Sequence, residues 1–285
     1  MKILIKYHYL IFLILACVGL IVAAVSAAEP VAGDRTAIGD DATLFTPRGY
    51  TPEGDSVRVF LHLHGAASAV EPALVSKDRR AVLIEFNRKG LSSVYTKPFS
   101  DPALFPRLLD SAMRALREKR ISKEPKPSEV IVCSFSAGFG GVREMLKDPG
   151  AFERIDAIVL ADSLYAGYLG DIKKRVIDPE AMDGFVRFAR EAAAGRKAML
   201  ITHSEVVPEG YASTAETASY LIKAVGAVET SSEEDWGDGW RRTRTAVKGR
   251  FVVLGFSGSE GIDHLRHLRR EGELWDRLPP KKRNN

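Results

Sequence analysis

The stretch that decides the fold is Val130–Gly141, which reads Val-Ile-Val-Cys-Ser-Phe-Ser-Ala-Gly-Phe-Gly-Gly. Its first four residues form a continuous apolar run, which is typical of a strand buried on both faces of a parallel sheet. Small residues then surround Ser136, and apolar residues at helical spacing follow from Val142. The stretch therefore predicts a strand that passes through a tight turn directly into a helix.

The same alternation of strand and helix continues on both sides of this stretch. The predicted strands are Val57–His62, Ala81–Phe86, Val130–Cys133, Ala157–Leu160, Ala198–Thr202 and Phe251–Gly255. The predicted helices are Leu104–Lys119, Val142–Leu146, Pro179–Ala194, Ser213–Val225 and Asp263–Trp275. This order predicts an α/β fold, with a doubly wound and mostly parallel sheet covered by helices on both faces.

The residues around Ser136 resemble the nucleophile elbow of the α/β-hydrolase superfamily, whose pattern is G-x-S-x-G. The flanking positions of that pattern are small because strand and helix pass close together there. Here they hold Ser134 and Gly138, so a serine replaces the first glycine. The resemblance to serine esterases and lipases of this superfamily implies that Ser136 is a nucleophile. A glycine-rich turn in which Ser136 only caps a helix would give the same pattern.

Two turns of the sequence are expected to supply N–H groups for an oxyanion. Ser136 stands at a predicted helix start, so the N–H of Ala137 and the positive end of the helix dipole would face the developing charge. His64-Gly65 resembles the HG turn after an early strand of α/β-hydrolases, and this implies Ala66 as the second donor. The residues expected to contact substrate are His64, Gly65, Tyr165 and His203.

The general base is expected after the last predicted strand. A glycine-containing loop leads there to His264 at a helix start, which is where the resemblance places the catalytic histidine. His267 follows one helical turn later and is expected at the surface or behind the site. An unperturbed imidazole titrates close to neutral pH, which suits a general base.

Two carboxylates between Ser136 and His264 could complete a triad in the Ser–acid–His order of the superfamily. Glu205 follows the strand after which the superfamily usually carries its acid. Asp162 directly follows the preceding strand, and its short side chain suits a rigid hydrogen bond. Asp162 is the preferred candidate and Glu205 is the alternative.

These features predict a serine hydrolase that cleaves a small-molecule or cell-envelope ester through an acyl-enzyme, without metal or organic cofactor. The ester is expected only by analogy with the fold. One alternative is a non-catalytic binding protein on a hydrolase scaffold. Another is a metal-dependent hydrolase that uses His62 and His64, because residues two apart on a strand face the same side.

The N-terminal sequence predicts export. Lys2 and Lys6 precede the apolar run Leu10–Val25, and the small residues Ser26–Ala28 follow it, as in a cleaved signal peptide. Residues 1–28 would then be removed, which leaves 29–285 as a single catalytic domain in the periplasm or secreted. An uncleaved segment 9–28 would instead anchor the protein in a membrane.

The composition is that of a globular protein, with 45% hydrophobic and 27% charged residues. Without residues 1–28, which carry two lysines and no acid, the formal charge falls from +4 to +2. This excess is too small to indicate a nucleic-acid partner. Without residues 1–28, Cys133 is the one cysteine left, so it cannot form an intramolecular disulfide. Its apolar neighbours predict a buried, inert thiol.

One polar insertion, Ser231–Arg244, contains Trp236 and Trp240. It predicts either a lid or substrate-contact loop, or a surface excursion whose tryptophans pack back onto the body of the protein.

Overall fold

The computed structural model describes residues 30–279. The predicted signal peptide at residues 1–28 and the alternative anchor at 9–28 lie outside the described residues. Of the described residues, 32–279 belong to one compact unit. Within residues 30–279 no helix has both the length and the apolar character that crossing a bilayer requires.

Ten strands form one sheet. They are β1 Gly33–Gly39, β2 Ala42–Pro47, β3 Ser56–Leu63, β4 Ala81–Phe86, β5 Lys126–Phe135, β6 Ala157–Ala161, β7 Ala198–His203, β8 Glu229–Asp235, β9 Arg241–Lys248 and β10 Phe251–Phe256. Their order across the sheet is β1-β2-β4-β3-β5-β6-β7-β10-β9-β8. The six from β4 to β10 in this order are parallel to one another, and the four outer strands pair antiparallel. These six parallel strands are the six that the sequence predicts, which confirms the doubly wound architecture.

Nine α-helices accompany this sheet in the described part of the chain. They are α1 Ala67–Lys77, α2 Ser93–Phe99, α3 Leu104–Glu118, α4 Phe139–Met145, α5 Pro149–Arg154, α6 Pro179–Ala193, α7 Thr214–Val225, α8 Gly261–Arg269 and α9 Glu271–Trp275. The predicted helix Asp263–Trp275 is in fact two helices, because the backbone of Arg270 leaves the helical conformation between α8 and α9.

Both faces of the sheet are covered by helices. On β3, Leu61 belongs to the main apolar core that includes residues of α2 and α3. Its neighbours on the strand, Phe60 and His62, point to the opposite face, because side chains alternate between the faces of a sheet. Phe60 packs against Trp275 of α9, with ring centroids 4.7 Å apart, and His62 contacts Glu271 of the same helix. Burial on both faces explains why these strands read as unbroken apolar runs.

The parallel strands end level with one another. Leu63 pairs with Ser134, and Ala161 pairs with Thr202. The residues that directly follow the carboxyl ends of β3, β5, β6, β7 and β10 are His64, Ser136, Asp162, Ser204 and Ser257. The register therefore gathers the sequence-predicted site residues at one edge of the sheet.

The polar insertion is a β-hairpin, formed by β8 and β9, that extends the sheet. The ring of Trp240 is fully buried and stacks on Phe256 at a centroid distance of 3.9 Å. Trp236 packs edge-on against the same ring. Arg266 of α8 donates to the carbonyl of Asp238 at the hairpin tip. The tryptophans thus pack back onto the body of the protein, as the second interpretation of this insertion predicts.

Candidate active site

Ser136 lies in a strained bend. It follows the last residue of β5 and begins a short 3₁₀ turn, Ser136–Gly138, that leads into α4. Its φ is +48°, in the left-handed region that costs energy for any residue with a Cβ. Such strain persists only where the surroundings fix the backbone. The bend carries the half-buried Ser136 side chain at the junction of strand and helix.

The bend requires small neighbours because backbone from β3 and from the residue before α2 passes against it. A Cβ on Gly138 would meet the carbonyl oxygen of Leu63 at 2.5 Å. A Cβ on Gly140 would meet the carbonyl oxygen of Ser92 at 2.6 Å. Both distances are shorter than any real contact of a side-chain carbon, so glycine is required at each position.

Ser134, the departure from the family pattern, is held in a hydroxyl chain. Ser163 Oγ donates to the carbonyl oxygen of Ser136 at 2.8 Å. The hydroxyl of Ser163 has one proton, so Ser134 Oγ is the donor in the 2.8 Å bond between these two side chains. Both serines are fully buried. The serine at this position therefore helps to fix the carbonyl of the strained residue.

Asp162 is a fully buried carboxylate with a complete set of hydrogen-bond donors. Its Oδ2 accepts from His264 Nδ1 at 2.7 Å and from Ser204 Oγ at 2.6 Å. Its Oδ1 accepts from the backbone N–H of Ser204 at 3.0 Å and from the Thr214 hydroxyl. Asp162 itself has a φ of +44°, so a second strained residue stands at the end of the neighbouring strand.

The Asp162 carboxylate is ionised at neutral pH. Burial is the largest influence and by itself raises the pKa. The charges and hydrogen bonds of His267, His264 and Ser204 outweigh burial and hold the pKa of Asp162 well below its ordinary value. A buried negative charge therefore lies beside the imidazole of His264.

His264 is placed by the loop after β10. Gly258, with a φ of +109°, approaches Asp263 so closely that a Cβ would meet the carboxyl carbon at 2.2 Å. Glu260 and Asp263 then form a reciprocal capping box that begins α8. His264 consequently falls in the first turn of that helix.

The imidazole of His264 is oriented by Asp162 and by an aromatic ring. Because Nδ1–H donates to Asp162, the neutral ring leaves Nε2 as an acceptor. The ring stacks on Phe135 at a centroid distance of 4.5 Å, and Phe135 directly precedes Ser136. Ser136 Oγ makes no hydrogen bond with the residues that the structure describes. A catalytic hydrogen bond often tightens only when substrate is bound.

The hydrogen bonds of Glu205 go to Gly258 rather than to His264. Its Oε2 accepts from the N–H of Gly258 at 3.2 Å, and its own N–H donates to the carbonyl of Gly258 at 2.9 Å. The side chain is exposed and braces the loop that leads to α8. Of the two candidate acids, the structure brings only Asp162 to the imidazole.

The turn after β3 lies against the elbow. His64 has a φ of +66° and its ring stacks on Phe135, with centroids 6.2 Å apart. Its Nδ1 is hydrogen-bonded to the hydroxyl of Tyr95 at 2.8 Å. Burial, together with the nearby charges of His62 and His264, lowers the pKa of His64 to about 4. His64 is therefore a neutral ring at the edge of the site.

The two expected oxyanion donors stand at helix starts. Ala137 is in the first turn after β5, where N–H groups lack partners within the helix. Ala66 is exposed and precedes α1, and its carbonyl accepts from Val70. Gly65, which precedes Ala66, is buried against the ring of His62, where a Cβ would meet His62 Cε1 at 2.4 Å.

His62 and His64 do not share one ligand position. His64 lies beyond the strand with a left-handed backbone, so the expectation that both rings face the same side is wrong. His62 Nε2 contacts both carboxylate oxygens of Glu271 at 2.9 and 2.8 Å, and neither side chain is exposed. Within residues 30–279, no group of three His, Cys, Asp or Glu residues is arranged to hold a metal ion.

The two other expected substrate contacts differ in position. Tyr165 packs against Phe139 of α4 and against Tyr211, with centroids 5.4 and 5.5 Å away, so it borders the elbow. His203 is only 2% exposed, and its Nδ1 is bonded to the carbonyl of Ser204. As the last residue of β7 it points into the sheet face beside Gly255, which does not fit a contact with substrate.

His267 is a buried neighbour of the site rather than a surface residue. Its Nδ1 is bonded to Thr202 Oγ1 at 2.7 Å. Burial lowers its pKa to about 4. The sequence signals the position of His267 only through its spacing. His267 follows His264 by three residues, and residues three apart lie on the same face of a helix.

Comparisons with known proteins give similarities of structure alone. Native Thermogutta terrifontis esterase Est2 is 15% identical, with a TM-score of 0.48, and the match covers 89% of this chain and 96% of that one. The propionate-bound form of the same esterase is 15% identical, with a TM-score of 0.47 and coverages of 90% and 98%. The form phosphonylated by cyclosarin is 14% identical, with a TM-score of 0.47 and coverages of 90% and 99%.

No protein-family profile matches the sequence, and no curated protein does. The mostly parallel sheet and the strand–turn–helix at Ser136 are those that the sequence predicts. Any assignment of chemistry rests on the side chains of the site itself.

Proposed function

We propose that this chain is a serine hydrolase that cleaves carboxylic esters, with Ser136, His264 and Asp162 as its triad. One observation carries the proposal. A buried, ionised carboxylate orients an imidazole whose ring stacks on Phe135, the neighbour of a serine held in a strained bend. Buried charge with a shifted pKa and backbone strain both cluster at active sites, and here they occur together.

The reaction proceeds in two acyl-transfer steps. His264 Nε2 takes the proton of Ser136 Oγ, and the oxygen attacks the ester carbonyl. The N–H groups of Ala137 and Ala66 stabilise the tetrahedral oxyanion. His264 then returns the proton to the leaving alkoxide, and the acyl-enzyme remains. Water then attacks the acyl-enzyme and gives a proton to His264, and His264 passes that proton to Ser136 Oγ as the carboxylic acid leaves.

Asp162 stabilises the imidazolium that forms in each step, and it holds the tautomer that leaves Nε2 free to accept. Two contacts favour an enzyme over a non-catalytic binding protein. Ser134 takes part in the hydroxyl chain behind the bend, and Asp162 is hydrogen-bonded to His264.

The test is hydrolysis of a soluble chromogenic ester by purified protein. Ser136→Ala is expected to lower kcat/KM by about 10⁴-fold or more, because the nucleophile is lost. Ser128→Ala is the matched control, since Ser128 is an exposed serine on the same strand. A Ser136→Ala variant as active as the parent chain would show that another group does the chemistry.

The sequence also supports a place of action outside the cytoplasm. Residues 1–28 have the charged, apolar and small-residue regions of an export signal, so the substrate is a small-molecule or cell-envelope ester. N-terminal sequencing of the protein recovered from the producing cells tests this proposal. A start at Glu29 supports cleavage, and a start at Met1 supports an uncleaved anchor.

A further inference from the structure

Large apolar side chains are exposed mainly at one edge of the molecule. Among the described residues, seven of the nine that are exposed lie on segments that follow the carboxyl ends of parallel strands. These seven are Leu91, Leu169, Ile172, Val176, Val207, Tyr211 and Ile262, and they are 43–75% exposed. This is the edge that carries Ser136, and a concentration of exposed apolar side chains on one part of a surface is a feature of interaction sites.

The most prominent of these segments is the loop Leu169–Val176, here called the 169–176 loop. It is exposed along its whole length. Its base is closed by a bridge between Tyr168 and Ile177, and by the N–H of Leu169 donating to the carbonyl of Val176 at 2.8 Å. The loop is therefore a defined projection from the body.

The 169–176 loop is cationic as well as apolar. It carries Lys173, Lys174 and Arg175 against one acid, Asp171. Arg175 pairs with Glu216 at the body of the protein. Within the described residues, neither lysine ammonium has a carboxylate within salt-bridge distance. Two unpaired cations thus stand beside the exposed Ile172.

The loop is joined to the candidate active site. Tyr165, on the same segment, packs against Phe139 of the helix that follows Ser136. Ala166 bridges Ala212, and Tyr165 packs on Tyr211, so the segment that contains Val207 and Tyr211 lies beside the base of the loop. The base of the 169–176 loop is therefore packed beside the helix that follows Ser136.

We infer that this edge docks on an anionic lipid–water interface, with the 169–176 loop and Val207 inserted among the headgroups. Protruding apolar tips suit a lipid surface, which deforms around them, whereas a protein partner requires a complementary shape. Unpaired lysines are attracted by anionic headgroups. Resting on the proposed function, the inference names the substrate class: acyl esters held in or on such a surface.

The docking is tested by co-sedimentation of Ser136→Ala protein with phosphatidylcholine vesicles, with or without phosphatidylglycerol. This variant cannot alter the lipid, so the readout is independent of catalysis. We expect binding to the anionic vesicles, and a loss of about tenfold or more in the Leu169→Ser/Ile172→Ser variant. Lys173→Gln/Lys174→Gln is expected to remove the preference for anionic vesicles and its salt dependence.

The matched control is Val228→Ser/Val247→Ser, because these two exposed apolar residues lie outside the edge. It is expected to bind as the parent does. Absence of binding to either vesicle, or equal binding by the loop variant and the parent, overturns the inference. So does a control variant that loses binding as fully as the loop variant.

Activity separates this inference from the proposed function. With Ser136 present, the loop variant is expected to hydrolyse a soluble short-chain ester as the parent does, and to lose hydrolysis of the same ester group embedded in vesicles. If the parent hydrolyses neither ester while Ser136→Ala protein binds vesicles, the proposed function fails and the docking stands. If both esters are hydrolysed equally by parent and loop variant, the inferred substrate class is wrong.

Discussion

Asp162 is fully buried, yet hydrogen-bond donors to both of its carboxylate oxygens stabilise its charge. A buried carboxylate costs much less when every lone pair is occupied. The arrangement also fixes which nitrogen of His264 carries the proton. This residue therefore decides between an imidazole that can accept a proton from Ser136 and one that cannot.

The role of Asp162 is separable from that of Glu205. We expect Asp162→Asn to lower kcat by about 10⁴-fold with little change in KM, because the amide no longer selects the productive tautomer. Glu205→Gln, which keeps an acceptor for Gly258, should retain most of the activity. Steady-state kinetics on a soluble ester measure kcat and KM of both variants. A larger loss of activity in Glu205→Gln than in Asp162→Asn would mean that Glu205 is the acid of the triad.

The hydroxyl chain behind the bend predicts a second effect. Ser163→Ala frees the carbonyl of Ser136 and leaves Ser134 Oγ without its partner. We expect the free energy of unfolding to fall by about 1–3 kcal/mol and kcat to fall by about tenfold to hundredfold. KM should stay near the parent value.

A double variant distinguishes this chain from simple packing. In Ser134→Gly/Ser163→Ala no hydroxyl remains unsatisfied, so its stability loss should be smaller than the two single losses combined. Strict additivity would mean that the two serines act independently.

Residue-level prediction from sequence succeeds where a local pattern carries the information. Ser136, Gly138 and His264 are recognisable from their immediate neighbours. The contact between His62 and Glu271 spans 209 positions, and no local signal marks it. The choice between Asp162 and Glu205 likewise depends on how two loops approach His264, which spacing along the chain does not specify.

At the scale of elements, the strands buried on both faces are the predictable ones. β1, β2, β8 and β9 were not predicted. Three of them, β1, β8 and β9, lie in the outer part of the sheet and consist mostly of exposed or partly buried residues, so they lack an apolar run. The short helices α1 and α2 contain a proline each, which masks the helical pattern.

The hairpin of β8 and β9 supports the helix that carries His264. Trp240 lies between Phe256 and the guanidinium of Arg270, which is 5.0 Å from the indole. The same ring meets His267 edge-on at 5.3 Å. Loss of this ring would therefore loosen α8 from the sheet.

We expect Trp240→Ala to lower the free energy of unfolding by about 3–5 kcal/mol, because a fully buried ring leaves a cavity. Urea unfolding followed by far-ultraviolet circular dichroism measures it. Val247→Ala, an exposed position on the same hairpin, should change stability by less than about 0.5 kcal/mol. Similar losses in both variants would mean that the hairpin is marginal as a whole.

At the scale of the molecule, buried titratable groups set how stability depends on pH. His64 and His267 have pKa values of about 4 against an ordinary 6.5, so they stay neutral when folded. The unfolded chain binds more protons between these values, and stability is lost as the pH falls through that window. Both histidines therefore contribute to the fall in stability on the acid side of the pH profile, here called the acid limb.

Glu85 acts in the opposite direction. Burial, with the nearby charge of Glu71, raises its pKa to about 8 from an ordinary 4.5, although Arg35 opposes the shift. The folded chain then binds more protons than the unfolded one over this window, and stability is lost as the pH rises through it. The histidines lower stability as the pH falls and Glu85 lowers it as the pH rises, which gives the profile an acid limb and an alkaline limb. Together they predict maximal stability near the ordinary pKa of histidine, 6.5.

Glu85→Gln should flatten the alkaline limb, because a neutral amide carries no penalty for ionisation. Urea midpoints measured between about pH 4 and about pH 9 check this, with Glu118→Gln as an exposed control. An alkaline limb of unchanged slope in Glu85→Gln would assign that limb to other groups.

The central claim is that Ser136 is an activated nucleophile. A fluorophosphonate reacts with such a hydroxyl and stays attached, so intact-mass analysis of the folded protein tests the claim most directly. We predict one adduct per chain, located on Ser136 by peptide mapping, absent in Ser136→Ala and formed much more slowly in His264→Ala. A folded protein that takes up no label, or an adduct on another residue, would contradict the account.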